Sequence, residues 1–331
     1  MSRDRAVVTT YARLHFGFCN LSLARERLYG SLGVGLDRPR VSVAATPDGG
    51  VTCDNPTVRD YAQRAVDHLD VDGADVTVDG SFPRHVGLGS GTQLALATLV
   101  AVARAHDRSV DVRRLAPELG RGGRSGVGVA TFEDGGFVLD AGHPTARFTT
   151  DRPALGRWSV PPVAARHPIP EDWRFLVVVP DSPTGPSGDA EDRSMRSVVE
   201  TASPSPSDRL AGVIARRVLP AITEGSAERF GAAVAEVGRL NGTWYADEQG
   251  GVYRPPAGEL VAALDEDPAV YGAGQSSWGP SVYGVTDASR SAAAREAGRD
   301  ALDAAGVDGR VLVAEGHNRG ATVDGDPRRN D

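Results

Sequence analysis

Pro83-Arg84-His85-Val86-Gly87-Leu88-Gly89-Ser90-Gly91-Thr92-Gln93 runs straight into residues 94–105, LALATLVAVARA. The second part is apolar with no polar face until Arg104, which predicts a helix buried on most sides. The first part puts three glycines, a serine and a threonine in six residues at that helix's N-terminus. Glycine lets backbone approach a ligand closely and turn successive N–H groups toward it. The helix end adds about half a positive charge. The stretch therefore predicts an anion site made of Gly87, Gly89, Ser90, Gly91, Thr92 and Gln93, with a phosphate as its natural ligand. The competing reading is a capped turn whose glycines serve only close packing.

Composition narrows the chemistry. The chain has 331 residues, 36 basic and 44 acidic, for a net charge of −8. That length predicts two domains. The acidic balance argues against nucleic acid or an anionic membrane as partner. No apolar run approaches the roughly 18–20 residues that cross a bilayer, and no signal-peptide pattern opens the chain, so a cytoplasmic protein is expected. Two cysteines make neither a disulfide framework nor a zinc cluster, and His143, His167 and His317 lack ligand spacing. Every basic residue is Arg. Without lysine there is no Walker A loop, no protein-kinase fold and no pyridoxal phosphate Schiff base. The acids are 30 Asp against 14 Glu, which fits a GC-rich genome, with or without a salt-adapted cytoplasm.

Along the chain, residues 7–14, 41–45, 75–78, 136–140, 174–179 and 311–314 read as strands. Residues 56–69, 112–119, 210–219, 227–240, 258–264 and 288–305 read as further helices. Residues 120–128 read as a Gly/Arg loop, and the Pro-rich stretch 149–172 as a connection between domains 1–160 and 161–325. The tail from 324 reads as frayed. A second glycine-rich stretch lies at residues 270–284. The mixed order favours an α+β protein.

The first glycine stretch resembles the phosphate motif of the GHMP kinase superfamily, the small-molecule kinases of galactose, homoserine and mevalonate. Gly272-Ala273-Gly274-Gln275-Ser276-Ser277-Trp278-Gly279-Pro280 is similar to that superfamily's C-terminal glycine motif. The resemblance implies an N-terminal α/β domain carrying the loop, a C-terminal ferredoxin-like domain, and a ligand between them. Four blocks resemble more closely the β-ribofuranosylaminobenzene 5′-phosphate synthases: Arg13-Leu14-His15-Phe16, residues 87–93, Gly122-Gly123-Arg124-Ser125-Gly126-Val127-Gly128, and residues 275–283. Those enzymes condense phosphoribosyl pyrophosphate with a 4-substituted benzoate, 4-hydroxybenzoate or 4-aminobenzoate, in tetrahydromethanopterin-type coenzyme synthesis, releasing carbon dioxide and pyrophosphate. A homodimer is implied by the same resemblance. Gly128 stands where the kinases carry an Asp, and glycine cannot take a proton from a substrate hydroxyl. Cys19-Asn20 stands where the synthases carry an apolar residue and an Asp.

That chemistry requires charge neutralisation of a departing pyrophosphate by Mg²⁺ or another divalent cation, or by guanidinium and amide groups. Arg13, His15 and Arg124 are the expected catalytic residues. Arg121, Ser125, Ser276, Ser277, Trp278 and Gly279 are the expected substrate contacts, and Asp140 and Glu191 the candidate metal ligands. His15 reads equally as a core histidine, Trp278 as an aromatic wall or a core residue beside a turn, and each Arg as a solvated charge. Two other functions stay open: an ATP-dependent small-molecule kinase, and a phosphosugar or nucleotide sensor without catalysis.

Overall fold

The computed structural model describes residues 5–80, 84–149, 151, 153–183 and 189–324. Pro83 of the glycine motif and the tail beyond 324 lie outside these. The strands are β1 (Ala6–Asn20), β2 (Arg27–Pro47), β3 (Val51–Thr52), β4 (Ala74–Asp79), β5 (Phe137–Asp140), β6 (His143–Pro144), β7 (Val163–His167), β8 (Trp173–Pro180), β9 (Ala273–Gln275), β10 (Val282–Asp287), β11 (Gly309–Glu315) and β12 (Thr322–Val323). The helices are α1 (Pro56–Leu69), α2 (Ser90–Ala105), α3 (Val112–Leu115), α4 (Val127–Asp134), α5 (Asp189–Thr201), α6 (Ser205–Val213), α7 (Leu219–Glu224), α8 (Ala227–Gln249), α9 (Ala257–Glu266) and α10 (Ser291–Ala304).

Two sheets form. The first runs β12-β1-β2-β4-β3, with β5 and β6 also on β2 and β7 on β5; the second runs β11-β8-β10-β9. Strands β7 and β12 come from the second half of the chain yet sit in the first sheet, so sheet membership does not divide at 160/161. The α+β class follows from helices covering these largely antiparallel sheets.

Local signals explain the elements. Asn55 caps α1 by accepting from the Thr57 and Val58 amides at 3.1 and 3.2 Å, with Pro56 in the first turn. Helix α2 buries every residue except Gly91, Thr92 and Arg104, as its apolar run required. Apart from Arg174, strand β8 is also apolar, because both faces are covered. Phe175, Val177 and Val179 join the main core while Leu176 and Val178 join a second cluster with α9 and α10.

Several elements depart from the pattern reading, among them strands β9 and β10 in the second glycine-rich stretch. Helix α4 begins where a loop was expected, strand β7 lies inside the Pro-rich stretch, and α5 carried no apolar signal strong enough to notice. Strand β2 extends far upstream of residue 41, through glycines that weaken any strand pattern. One of these, Gly33, is required by tertiary contact: a Cβ there would stand 2.2 Å from the Leu14 carbonyl oxygen.

The two sheets are joined by an aromatic cluster. Phe16 of β1 meets Phe230 of α8 at 5.8 Å and Tyr283 of β10 at 4.9 Å between ring centroids. Phe230 also meets Trp173 of β8 at 4.8 Å and Phe137 of β5 at 5.8 Å. All five are fully buried. Offset and edge-on aromatic pairs add to the burial of apolar area. Phe230→Ala should lower unfolding free energy by about 3–5 kcal/mol, read as a lower urea midpoint with unchanged slope.

Candidate active site

The two glycine stretches, almost 190 residues apart in sequence, meet. The Gly87 carbonyl accepts from the Ser276 hydroxyl at 2.8 Å and from the Arg13 guanidinium. A Cβ on Gly87 would stand 2.2 Å from the Ser276 carbonyl oxygen, so only glycine fits there at its φ of +92°. Further ties run from the Ser281 amide to Val86, from the Ser277 amide to His15, and from the His15 amide to the Ser276 hydroxyl, all near 3.1 Å. Gly279 donates its amide to the Ser276 carbonyl at 3.0 Å, closing the second turn.

Two guanidinium groups lie against the first glycine turn. Gly89, at φ +83° the cap of α2, has the Arg13 side chain 3.0 Å from where a Cβ would be; Gly91 has Arg121 at 3.1 Å. Arg121 also donates to the Tyr61 hydroxyl and lies 5.3 Å over that ring. Both arginines leave a buried Nε–H without a partner. Burial pulls the Arg13 guanidinium down to about 10, against the opposing pull of Glu191. Ser90 is buried and Thr92 half-buried at the same helix end. Thr92 is also the neighbour of Gly128: its Cγ2 lies 3.2 Å from the position of a Cβ there. Gly128 thus faces the loop without a side chain.

Beside this cradle lies a pocket between the end of β1, the C-terminal half of α8 and the second glycine turn. His15, Phe18, Asn241, Tyr245, Ser277 and Trp278 line it. Tyr245 and Trp278 meet edge-on at 4.7 Å, and His15 meets Phe18 at 5.1 Å. His15 is 3% exposed and its Nδ1 has no partner. Burial, with Arg13 two residues away, holds its imidazole down at about 3, so it is neutral near pH 7. Asn241 shapes the pocket by pairing with the Phe18 amide at 2.6 Å and the Phe18 carbonyl at 2.8 Å. Gly17 has to be glycine for that approach, since a Cβ would stand 2.5 Å from the Asn241 amide.

Arg124 stands apart from the glycine loop. It pairs with Glu191 at 3.1 Å and with Asp192, tying the Gly/Arg loop to α5. Its charge nevertheless reaches Tyr29 and Tyr245, so this ion cluster borders the aromatic pocket.

Several expected contacts turn out to be braces. Gln93, expected on a phosphate, donates to the Gly128 carbonyl at 2.8 Å and accepts from the Thr10 hydroxyl, locking α2 to β1 and α4 from inside the core. The Ser125 hydroxyl sits 2.6 Å from the Ser31 hydroxyl and accepts from the Val127 amide at the start of α4. Asp140 accepts from Ser31, from the Gly126 amide at 2.8 Å and from the Gly142 amide at 2.9 Å; burial raises its carboxyl despite these bonds. Asp140 is thus engaged by a hydroxyl and two amides, and Glu191 is paired with Arg124. Among the described residues no group of three or more His, Cys, Asp or Glu is placed to hold a metal ion. Asn20 is likewise structural: its amide bonds Ser22, Arg27 and Ser207. Sequence reading missed Phe18, Asn241 and Tyr245. The last two lie where Gly242, Thr243 and Trp244 weaken the helical pattern, although α8 runs on to Gln249.

The neutral His15 sets an acid dependence. The folded state keeps the imidazole unprotonated down to about 3, while the unfolded chain protonates it below about 6.5. The associated stability is full above 6.5 and is lost as pH falls toward 3. His15→Gln should therefore lose about 3 kcal/mol less than the parent chain between pH 7 and pH 4, measured by urea unfolding at each pH.

Residues 57–136 match the family model of the GHMP kinases N terminal domain. The chain is 35% identical to the beta-ribofuranosylphenol 5′-phosphate synthase of Methanothermobacter thermautotrophicus, over 95% of this chain and 97% of that one. It is 29% identical to the synthase of the same name from Archaeoglobus fulgidus, over 95% and 98%. In fold it is similar to homoserine kinase from Cytophaga hutchinsonii (TM-score 0.66, 17% identity, 98% of both chains). It is similar also to mevalonate kinase from Methanococcus jannaschii (TM-score 0.64, 12% identity, 96% of this chain and 100% of that one). The kinase-like frame is thus shared with enzymes of low identity, whereas the near-full-length likeness at 35% places this chain in the β-ribofuranosylphenol 5′-phosphate synthase family of the GHMP kinase superfamily.

Proposed function

We propose that this chain joins phosphoribosyl pyrophosphate to 4-hydroxybenzoate, with 4-aminobenzoate as the alternative acceptor, releasing carbon dioxide and pyrophosphate. The bond from the ribose anomeric carbon to the pyrophosphate oxygen breaks, and its electron pair leaves with pyrophosphate. The ring carbon bearing the carboxylate supplies the electrons of the new carbon–carbon bond. The bond to the carboxylate then breaks, its electrons restore the aromatic ring, and carbon dioxide departs. The electron-donating group opposite the carboxylate drives the attack, so the protein's task is to orient two substrates and to neutralise charge.

The observation that carries this reading is the junction at Gly87. Arg13 and His15 lie two residues apart on β1, one against the glycine turn and the other on the aromatic pocket. An anion cradle and an aromatic-lined pocket thus adjoin. In this reading the donor's phosphates take the amides at residues 87–92 with Arg13 and Arg121, and the benzoate ring lies against Trp278 and Phe18. His15 meets the acceptor as a neutral hydrogen-bonding group. Arg124 holds α5 beside the pocket. The bare Gly128 leaves a phosphoryl-transfer reaction without the base at its usual place. No helix among the described residues is long and apolar enough to cross a membrane.

Purified protein given phosphoribosyl pyrophosphate and 4-hydroxybenzoate should release pyrophosphate and carbon dioxide in equal amounts. ADP formation from ATP with a small alcohol, and no such release, would replace this reading with the kinase one. Gly89→Asp should abolish phosphoribosyl pyrophosphate binding in calorimetry. It adds like charge and a side chain at a left-handed position 3.0 Å from Arg13.

A further inference from the structure

The glycine turn could hold either end of phosphoribosyl pyrophosphate, the diphosphate or the 5′-phosphate. We infer that Arg13 and Arg121 make the Gly89-to-Gly91 turn a diphosphate clamp, so that the leaving group, not the 5′-phosphate, lies on this loop. The inference rests on the synthase reading above and deepens it.

The argument starts from unmet hydrogen-bonding groups. Among the described residues, no carboxylate lies within ion-pair distance of Arg13 or Arg121. Glu191 reaches Arg13 only through its field, and its ion pair is with Arg124. Each guanidinium spends one arm on the protein, Arg13 on the Gly87 carbonyl and Arg121 on the Tyr61 hydroxyl. Each keeps a buried Nε–H unsatisfied. A buried donor without an acceptor is costly, and a planar guanidinium presents paired N–H groups suited to phosphate. Two such donors therefore mark positions where a ligand supplies oxygens.

Their placement decides which ligand. Arg13 lies against Gly89, the cap of α2, and Arg121 against Gly91, two residues further along the chain. The cations thus sit at the two ends of a three-residue turn, with the amides of α2 between them. Gly91 and Thr92 are the members of the first helical turn that α2 leaves unburied. A monophosphate gathers its charge on one phosphorus and satisfies one end. A diphosphate carries charge on two linked phosphorus atoms and engages both. Tyr61, under Arg121, and Gly87, under Arg13, hold the two guanidiniums in place before any ligand arrives, which limits the ordering cost of binding.

The test uses the full chain in magnesium-free buffer, with calorimetric titration of inorganic pyrophosphate, inorganic phosphate and ribose 5-phosphate. Pyrophosphate should bind about tenfold or more tightly than either monophosphate. Arg121→Gln should weaken pyrophosphate by about tenfold or more while changing ribose 5-phosphate less than about twofold. Arg121→Lys, which keeps the charge and loses the fork, should fall between the two. A urea midpoint for each variant separates lost binding from lost folding. Equal loss for pyrophosphate and ribose 5-phosphate, or a loss confined to ribose 5-phosphate, would overturn the clamp even if the condensation assay succeeds. A selective pyrophosphate loss in a protein that releases no carbon dioxide would leave the clamp standing and remove the synthase reading.

Discussion

A single carbonyl oxygen organises this active site. Gly87 accepts from Arg13 and from Ser276, and so binds strand β1, the first glycine turn and the second glycine turn at one point. Each partner is placed by a different part of the fold: Arg13 by the first sheet, Ser276 by the end of the short strand β9, Gly87 by the lead into α2. Without the Ser276 and Arg13 donors this carbonyl would lose its partners beneath the site. With them, the amides and the two flanking guanidiniums are oriented before substrate binds. That preorganisation is the usual source of electrostatic stabilisation for a departing anion.

The absence of lysine gives the site its character. A lysine in a phosphate loop acts as a mobile point charge, whereas an arginine brings a rigid fork and a flat face. Arg121 uses both features, donating to the Tyr61 hydroxyl and lying over its ring while its edge meets the Gly91 backbone. Arg124 uses the fork to join two carboxylates of α5 to the Gly/Arg loop. Charge therefore appears in two forms: guanidiniums with no carboxylate partner among the described residues at the glycine turn, and a guanidinium paired with carboxylates at the edge of the aromatic pocket.

The superfamily frame is used here with one side chain removed. Gly128 faces Thr92 near the start of α2. The start of α4 is held by Ser125, which accepts from the Val127 amide, and by Asp140, which accepts from the Gly126 amide. Asp140 thus acts as a brace in the first sheet, and the polar chemistry at the loop rests on arginine and backbone.

Much of this was legible in the chain of residues. Glycines at 87 and 89 before an apolar run imply a tight turn on a buried helix, because glycine tolerates their positive φ and only a covered helix lacks a polar face. Repeated motifs in order marked the family. What the residues could not reveal is which hydroxyls and amides spend their capacity inside the protein. Gln93, Ser125 and Asp140 belong to motifs yet serve as braces, while Asn241 and Tyr245 line the pocket from a helix whose pattern fades after Leu240. Local sequence determines backbone angles, burial and helix ends, since these depend on neighbours a few residues away. Which side chains remain free for a ligand was decided only by tertiary structure, because a hydrogen bond is settled by partners brought together from positions hundreds of residues apart.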